Sequence, residues 1–487
     1  MVSVVVKVAI ISRAFAWIIQ VIFNGLITDH NAAAFRLKPL KNPTEGDRVI
    51  HHLFEGFSKW DGSYFLTISE DGYTQPQMFV FFPLFPAIVR TVALVIHFPF
   101  STVISFRSCL MISSFVTNTF LFVLSASLLQ KLAERLLKDA NMATAAAVLF
   151  CFNPASVFMS ATYSESLFSF LTFLGMLAYQ DKRLITGAVL FGLSSATRSN
   201  GIVSFGFLIY HWIQQLTRDT LIAVSAGKTN VCLYIALLSL EIAIFLTGLA
   251  ALNFGPFLLF QMYSYSQVCH SQRFIFPATI FEYILPVNSQ VNYIPSSTPP
   301  AWCQKSLPLP YSNIQAEVWE VGFFNYFQLR KIPNFFLALP IIVLSVRAIT
   351  TYCKQNWEYV RWVGLLPPRK TWDKYAKSQG FFNEENFLHL AHLSFLLLFG
   401  IFFMHIEVLT RFLFSSCPVL LVFAAHLVTK GPDGNFFNTQ GPQSVIGIMR
   451  KICSWFRNGP WSVFILMYFS IYFVSGLIIH CNFLPWT

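Results

Sequence analysis

Three carboxylates, Asp61, Glu70 and Asp71, fall within the stretch FSKWDGSYFLTISEDGY (57–73) of a chain in which only 11% of residues are charged. A carboxylate beside Trp and Tyr in a partly dry loop has the chemistry of a general base, taking the proton of an attacking hydroxyl. Gly62 and Gly72 permit turns that bulkier residues resist, so both ends of the stretch read as shaped rather than simply hydrated. A lone loop acid is more often solvated. Asp61, preceded by Trp60, is therefore the candidate for catalysis, and Glu70 and Asp71 are candidates to orient a substrate or hold the loop.

Three further polar groups stand in apolar surroundings. In FNPASVFMSATYSESLFSF (152–170), Asn153 and Pro154 interrupt a helix, Tyr163, Ser164 and Glu165 make a turn, and another helix begins at once. Ser164 suits an N-cap, whereas an amide such as Asn153 inside an apolar helix is costly without a partner. In ATRSNG (196–201), Arg198 and Asn200 break an apolar stretch. An intramembrane arginine costs about 2.5–3.5 kcal/mol at a helix centre on insertion scales, and its natural partner is a phosphate or a carboxylate. An ion pair with Glu165 and a ligand contact are equally open. In MHIEVLTRFLF (404–414), His405, Glu407 and Arg411 fall within seven residues, either as a local ion pair or as an anion site around Arg411 that faces the same side as Asp61.

The elements that position these groups are membrane helices. The 487 residues are 55% hydrophobic and 17% aromatic, with 54 Phe, and mean hydropathy is +0.58; soluble domains usually carry about 25% charge. Apolar runs near the roughly 20 residues of a span lie at 8–27, 103–130, 142–161, 166–180, 184–213, 229–260, 333–350, 387–406, 412–429 and 461–480, with a further one at 78–99. The reading is an all-α polytopic protein of about 10–12 membrane helices in a single domain, 1–487. The net charge of +11 fits Lys and Arg in cytoplasmic loops better than nucleic acid. Placing the basic clusters inside requires 78–99, with Pro83, Pro86 and Arg90, to be re-entrant or interfacial, and 184–213 to dip and return at ATRSNG. Residues 28–101 then form a large lumenal loop, 263–332 a second lumenal segment, and 351–386 a basic cytoplasmic loop. The first apolar run reads as a retained anchor rather than a cleaved signal.

Nine cysteines occur without a CxxC pair, which disfavours a zinc or redox site. Cys269 and Cys303 share the outer segment, leaving a disulfide open. His389 and His392 lie in an apolar helix without a third ligand and read as packing. There is no DxD, P-loop or GxGxxG, so neither a metal-held nucleotide sugar nor a nucleotide site is supported. No metal ligand set is assigned.

The ordered series WDGSYFLTISEDGY, FFPLFP, FNPASVF, YSESLF, RSNG, HIEVLTRF and the terminal HCNFLPWT resembles the eukaryotic PIG-V family, which adds the second mannose during glycosylphosphatidylinositol (GPI) anchor synthesis. The resemblance runs from about residue 8 to the last. It implies a GT-C type glycosyltransferase of the endoplasmic reticulum membrane with a lumenal active site, inverting and metal-independent, that uses dolichyl-phosphate mannose and no cofactor. The product would be an α-1,6 linkage to the first mannose of a GPI intermediate. Membrane lipids surround the enzyme, and the resemblance leaves room for a small accessory membrane subunit. The family's Trp-Asp pair matches Trp60 and Asp61, its SE turn Ser164 and Glu165, its RSNG Arg198 to Gly201, and its histidine-to-arginine element His405, Glu407, Thr410 and Arg411. Glu stands at 407 where that element often has Gln, which leaves proton transfer at this position unassigned. On this reading Asp61 takes the acceptor proton, and Arg198 and Arg411 neutralise the leaving phosphate. The rivals are another lipid-sugar transferase, a transporter, whose paired halves are not visible here, and a noncatalytic subunit of the same pathway.

Overall fold

The computed structural model describes residues 3–32, 35, 37–227, 230–269, 281, 284–286, 300–365, 380–430 and 445–484. Much of the expected second lumenal segment, the basic residues Arg369, Lys370, Lys374 and Lys377 of the expected cytoplasmic loop, and the terminal Pro485 to Thr487 lie outside the described residues. Among the described residues every regular element is helical. Six helices are long and apolar enough to cross a membrane: Val4–Leu26, Phe106–Leu137, Val231–Val268, Leu329–Gln355, Asn386–Phe403 and Pro460–His480. A seventh arises if Ile406–Ser416 and Pro418–Thr429, bent by 84°, count as one broken span. The chain is an all-α polytopic membrane protein.

Several apolar stretches expected as spans form shorter helices, at about 1.5 Å per residue against a hydrocarbon core of about 30 Å. The run 142–161 gives only a 12-residue helix, α6 below, because Asn153 ends it. The prolines expected to break 78–99 instead start a helix: Pro83 is its N-cap and Pro86 lies in its first turn, where a missing N–H costs nothing.

In chain order, α1 (Val4–Leu26) leads to α2 (Glu45–Phe54) and α3 (Asp61–Asp71), followed by α4 (Leu84–Phe100) and the 32-residue α5 (Phe106–Leu137). α6 (Ala140–Cys151) and α7 (Glu165–Gln180) both pack on α5, and α8 (Leu184–Ser195) packs on α7. The expected break at ATRSNG is present, with a short 3-10 turn (Ser199–Ser204) between α8 and α9 (Phe205–Ser225). α10 (Val231–Val268) lies along α8 and α9.

Residues 152–164, between α6 and α7, are irregular yet buried, so their polar groups need internal partners. Arg13 of α1 supplies them. Its guanidinium donates to the Ser156 carbonyl at 2.9 Å, Ser160 Oγ at 2.8 Å and the Cys151 carbonyl at 3.1 Å, and lies 3.9 Å from the Phe122 ring centre. At the same end of the bundle as Asp61, the last turns of α10 (Phe260, Tyr263, Val268) share an aromatic core with Tyr73, Phe79, Phe82, Trp302 and Ile314. A Cys269–Cys303 disulfide ties the end of α10 to the stretch that carries Trp302. Gly72, at φ +79°, lies against the Pro286 carbonyl where any Cβ would collide.

Candidate active site

Asp61 is the first residue of α3, where helix N–H groups favour a negative charge. The turn delivering it is strained: Trp60 holds φ 54° and ψ −133°, a left-handed region that non-glycine residues rarely adopt. Ser63 Oγ braces the Trp60 carbonyl at 2.9 Å, and the Asp61 N–H donates to the Tyr163 hydroxyl at 3.1 Å. Phe35 and Phe483 pack against the Trp60 indole at 5.2 and 5.8 Å.

Arg411, near the start of the helix Leu409–Ser416, reaches Asp61 across 350 residues of sequence. Both Nη1 and Nη2 donate to Asp61 Oδ2 at 3.0 Å. The same Nη1 is 3.8 Å from Glu165 Oε1, and the guanidinium lies 5.0 Å from the Phe158 ring centre and 5.4 Å from that of Tyr163. Glu165, 0% exposed at the first turn of α7, forms a second ion pair with Arg198 Nη1. The result is a row of alternating charges, Arg198, Glu165, Arg411 and Asp61, gathered from four elements and formally neutral. Buried charges persist only when paired in this way.

The remaining sequence candidates divide. Ser164 sits at the N-cap of α7 without making a cap bond; its hydroxyl instead accepts from Arg198 at 3.5 Å. Asn200 donates to Ser416 Oγ at 3.0 Å, tying the α8–α9 break to the Arg411 helix. Tyr163 joins the array through the Asp61 backbone and meets His480 Nε2 at 3.4 Å.

Five of the sequence candidates lie or are bonded away from the Asp61 carboxylate. Glu70 and Asp71 sit nine and ten residues beyond Asp61 on the same helix, roughly 14–15 Å along its axis. There Glu70 pairs with Arg107 at 2.7 Å, and Arg90 donates to the Ser69 and Glu70 carbonyls. Asn153 serves the backbone: its amide donates to the Phe150 carbonyl at 2.7 Å and accepts from the Ala155 N–H at 2.8 Å, closing α6. His405 and Glu407 do not converge on Asp61 with Arg411. His405 Nε2 donates to the Trp319 carbonyl at 2.6 Å, while Glu407 accepts from the Tyr326 hydroxyl at 2.7 Å and from Asn334. Burial first, and then the Glu407 charge, holds the Tyr326 hydroxyl well above its usual range, so it stays a donor.

Sequence reasoning passed over Lys59, which is buried and bonded to Asp29 at 2.6 Å and Glu55 at 3.1 Å. Burial pushes the Glu55 carboxyl up, but bonds from His51 and Lys59 outweigh it and bring it down to about 2. Tyr64 shifts upward through burial and the nearby Asp61 charge. Proximity to Trp60 was the only signal for Lys59, and the HCNF motif the only one for His480. His389 and His392 pack together on Phe207. Among the described residues no three His, Cys, Asp or Glu side chains are grouped as a metal site.

Residues 2–487 match the family described as Mannosyltransferase (PIG-V). A Homo sapiens protein named GPI alpha-1,6-mannosyltransferase 2 is 35% identical over 99% of this chain and 98% of its own. The Mus musculus protein of that name is 34% identical over the same shares, and a Drosophila melanogaster GPI mannosyltransferase 2 is 30% identical over 88% of this chain and 91% of its own. An oligosaccharyltransferase crystal structure from Archaeoglobus fulgidus aligns with 95% of this chain and 56% of its own at 11% identity; at a TM-score of 0.42 the likeness is too slight to argue from.

Proposed function

The chain belongs to the PIG-V mannosyltransferase family, and on that premise we propose that it adds the second mannose of a GPI precursor, in α-1,6 linkage, at the lumenal face of the endoplasmic reticulum membrane. The donor is dolichyl-phosphate mannose and the acceptor is the first mannose of the precursor. The architecture is of the GT-C type. The names of the relatives support the acceptor and linkage. The observation that carries the chemistry is the carboxylate of Asp61, partly open to solvent and oriented by the Arg411 fork.

In the proposed step the acceptor 6-hydroxyl attacks the donor's anomeric carbon from the face opposite the phosphate. The new C–O bond forms as the carbon–phosphate-oxygen bond breaks, and the electron pair leaves with dolichyl phosphate. The hydroxyl proton passes to Asp61, and attack on a β-linked donor gives the α product. Arg198 and Arg411, paired with Glu165 and Asp61, are the cations offered to the phosphate. The leaving group takes up the charge itself, so the step as drawn calls for neither a metal nor a cofactor.

The test uses cells lacking the second GPI mannosyltransferase, expressing either the wild-type chain or Asp61→Asn, with lipid intermediates followed by mass. Conversion of the one-mannose lipid to the two-mannose lipid by the wild type alone is expected. Accumulation of the one-mannose lipid with both, at equal protein levels, would overturn the assignment.

A further inference from the structure

A cavity of about 680 Å³ opens beside the catalytic candidates, against the chain that leads into Trp60. Lys59 lies in its wall two residues before Asp61, and Phe483, which also lines it, packs edge-on to the Trp60 indole. Its volume falls in the range of roughly 300–1,000 Å³ typical of ligand sites. The lining mixes charged side chains with Phe35, Leu37, Leu40 and Phe483, a combination suited to a head group in which sugar faces lie on apolar side chains and an anion meets a cation.

The cations of the wall differ in how fully they are paired, and Lys59 and Arg107 are the fully paired ones. Asp29 and Glu55 are both committed to Lys59. Asp47 accepts from the Ser105 N–H at 2.7 Å and the Ser108 hydroxyl at 2.6 Å. Lys38 and Arg48 are freer. Lys38 forms no ion pair among the described residues, and Arg48 meets only Glu45, with 64% and 85% of the two side chains exposed, a contact worth little in water. Lys38 and Arg48 are thus the cations of the wall that no buried carboxylate holds.

We propose that this cavity holds the head group of the acceptor glycolipid, with its phosphodiester against Lys38 and Arg48 and its sugars crossing toward Asp61. The inference rests on the function proposed above and adds where the acceptor sits and which charge it presents. The experiment measures initial rates of the full-length protein in microsomes, varying the one-mannose GPI lipid and dolichyl-phosphate mannose independently. The variants are Lys38→Glu with Arg48→Glu, and His52→Trp, which places bulk in the cavity at an exposed position. The double charge reversal is expected to raise the acceptor KM tenfold or more, leaving the donor KM and the rate at saturating acceptor near wild type; His52→Trp raises the acceptor KM as well. An unchanged acceptor KM in both variants, a rise in donor KM instead, or a fall in kcat alone overturns the cavity assignment while leaving the reaction intact. Absence of mannose transfer by the wild type would overturn the reaction and this inference with it.

Discussion

Replacing Arg411 by lysine separates two duties that an arginine beside a catalytic carboxylate can have. The native side chain places two N–H groups on one oxygen of Asp61, both at 3.0 Å, with its plane beside the rings of Phe158 and Tyr163. Lysine keeps the charge but not the fork or the flat face. One charge-assisted hydrogen bond contributes about 1.5–3 kcal/mol, and stacking a cation on an aromatic ring about 0.5–1 kcal/mol. Together they amount to roughly 2–4 kcal/mol of positioning, which at 1.36 kcal/mol per decade is about 30- to 900-fold in rate. Initial-rate measurements with donor and acceptor varied separately decide where the loss appears. If the fork orients the base, kcat falls by that factor with both KM values near wild type. An unchanged kcat would refute the reasoning, and a rise in donor KM alone would make Arg411 a phosphate ligand.

Glu165→Gln leaves Arg198 and Arg411 with one carboxylate between them; breaking a buried pair costs about 3–5 kcal/mol, so a lower melting temperature and a large loss of transfer are expected, and a variant as stable as wild type would show that the array is not what holds the helices together. Asp47 completes a capping box with Thr44 and receives bonds from Ser105 and Ser108; burial pushes its carboxyl up, but these bonds outweigh it and set it well below the usual range. A depressed carboxylate adds stability above its unfolded value of about 3.9 that is lost as pH falls toward the folded value. The melting-temperature advantage of wild type over Asp47→Asn should therefore be full at neutral pH and shrink below about pH 4; a gap constant down to pH 3 would show that the charge contributes nothing. Cys303→Ser opens a 34-residue loop, for which chain entropy sets an upper bound of about 3.8 kcal/mol; the variant should melt lower than wild type and, unlike it, be indifferent to reductant.

The division between what the sequence discloses and what it hides follows contact distance. The local signal at ATRSNG translates directly into a break, whereas the stretch from Asp61, read as a loop, forms a helix. The pairing of Asp61 with Arg411 spans 350 residues, and nothing local to either end specifies it; the membrane topology put both on one side, and the family pattern put both in one site. The candidates that lie or are bonded elsewhere do so for identifiable reasons. Glu70 and Asp71 look adjacent to Asp61 along the chain, but once 61–71 is a helix they are carried to its far end. Asn153 appeared costly because it lacked a visible partner, and the partner is its own neighbouring backbone. His405, Glu407 and Arg411 share a short stretch, yet the 3-10 turn Ile406–Val408 directs the first two toward Trp319, Tyr326 and Asn334.

The neutrality of the four-charge row has a consequence for the proposed reaction. A donor phosphodiester brings one negative charge to a site whose two arginines are already matched by Glu165 and Asp61. Were both carboxylates to stay ionised throughout, the charge developing on the leaving phosphate would have no unmatched cation to meet. Transfer of the acceptor proton to Asp61 removes that difficulty as it arises. The carboxylate loses its charge while the phosphate gains one, so the site's total is unchanged, and Arg411, released from its partner, becomes available to the leaving group. Preorganised cations that meet charge where it develops lower the barrier without fresh solvent reorganisation. Glu165, buried 3.8 Å from Arg411, helps hold the guanidinium in place. A base paired to an arginine is thus compatible with catalysis here, because protonating the base is what frees the arginine.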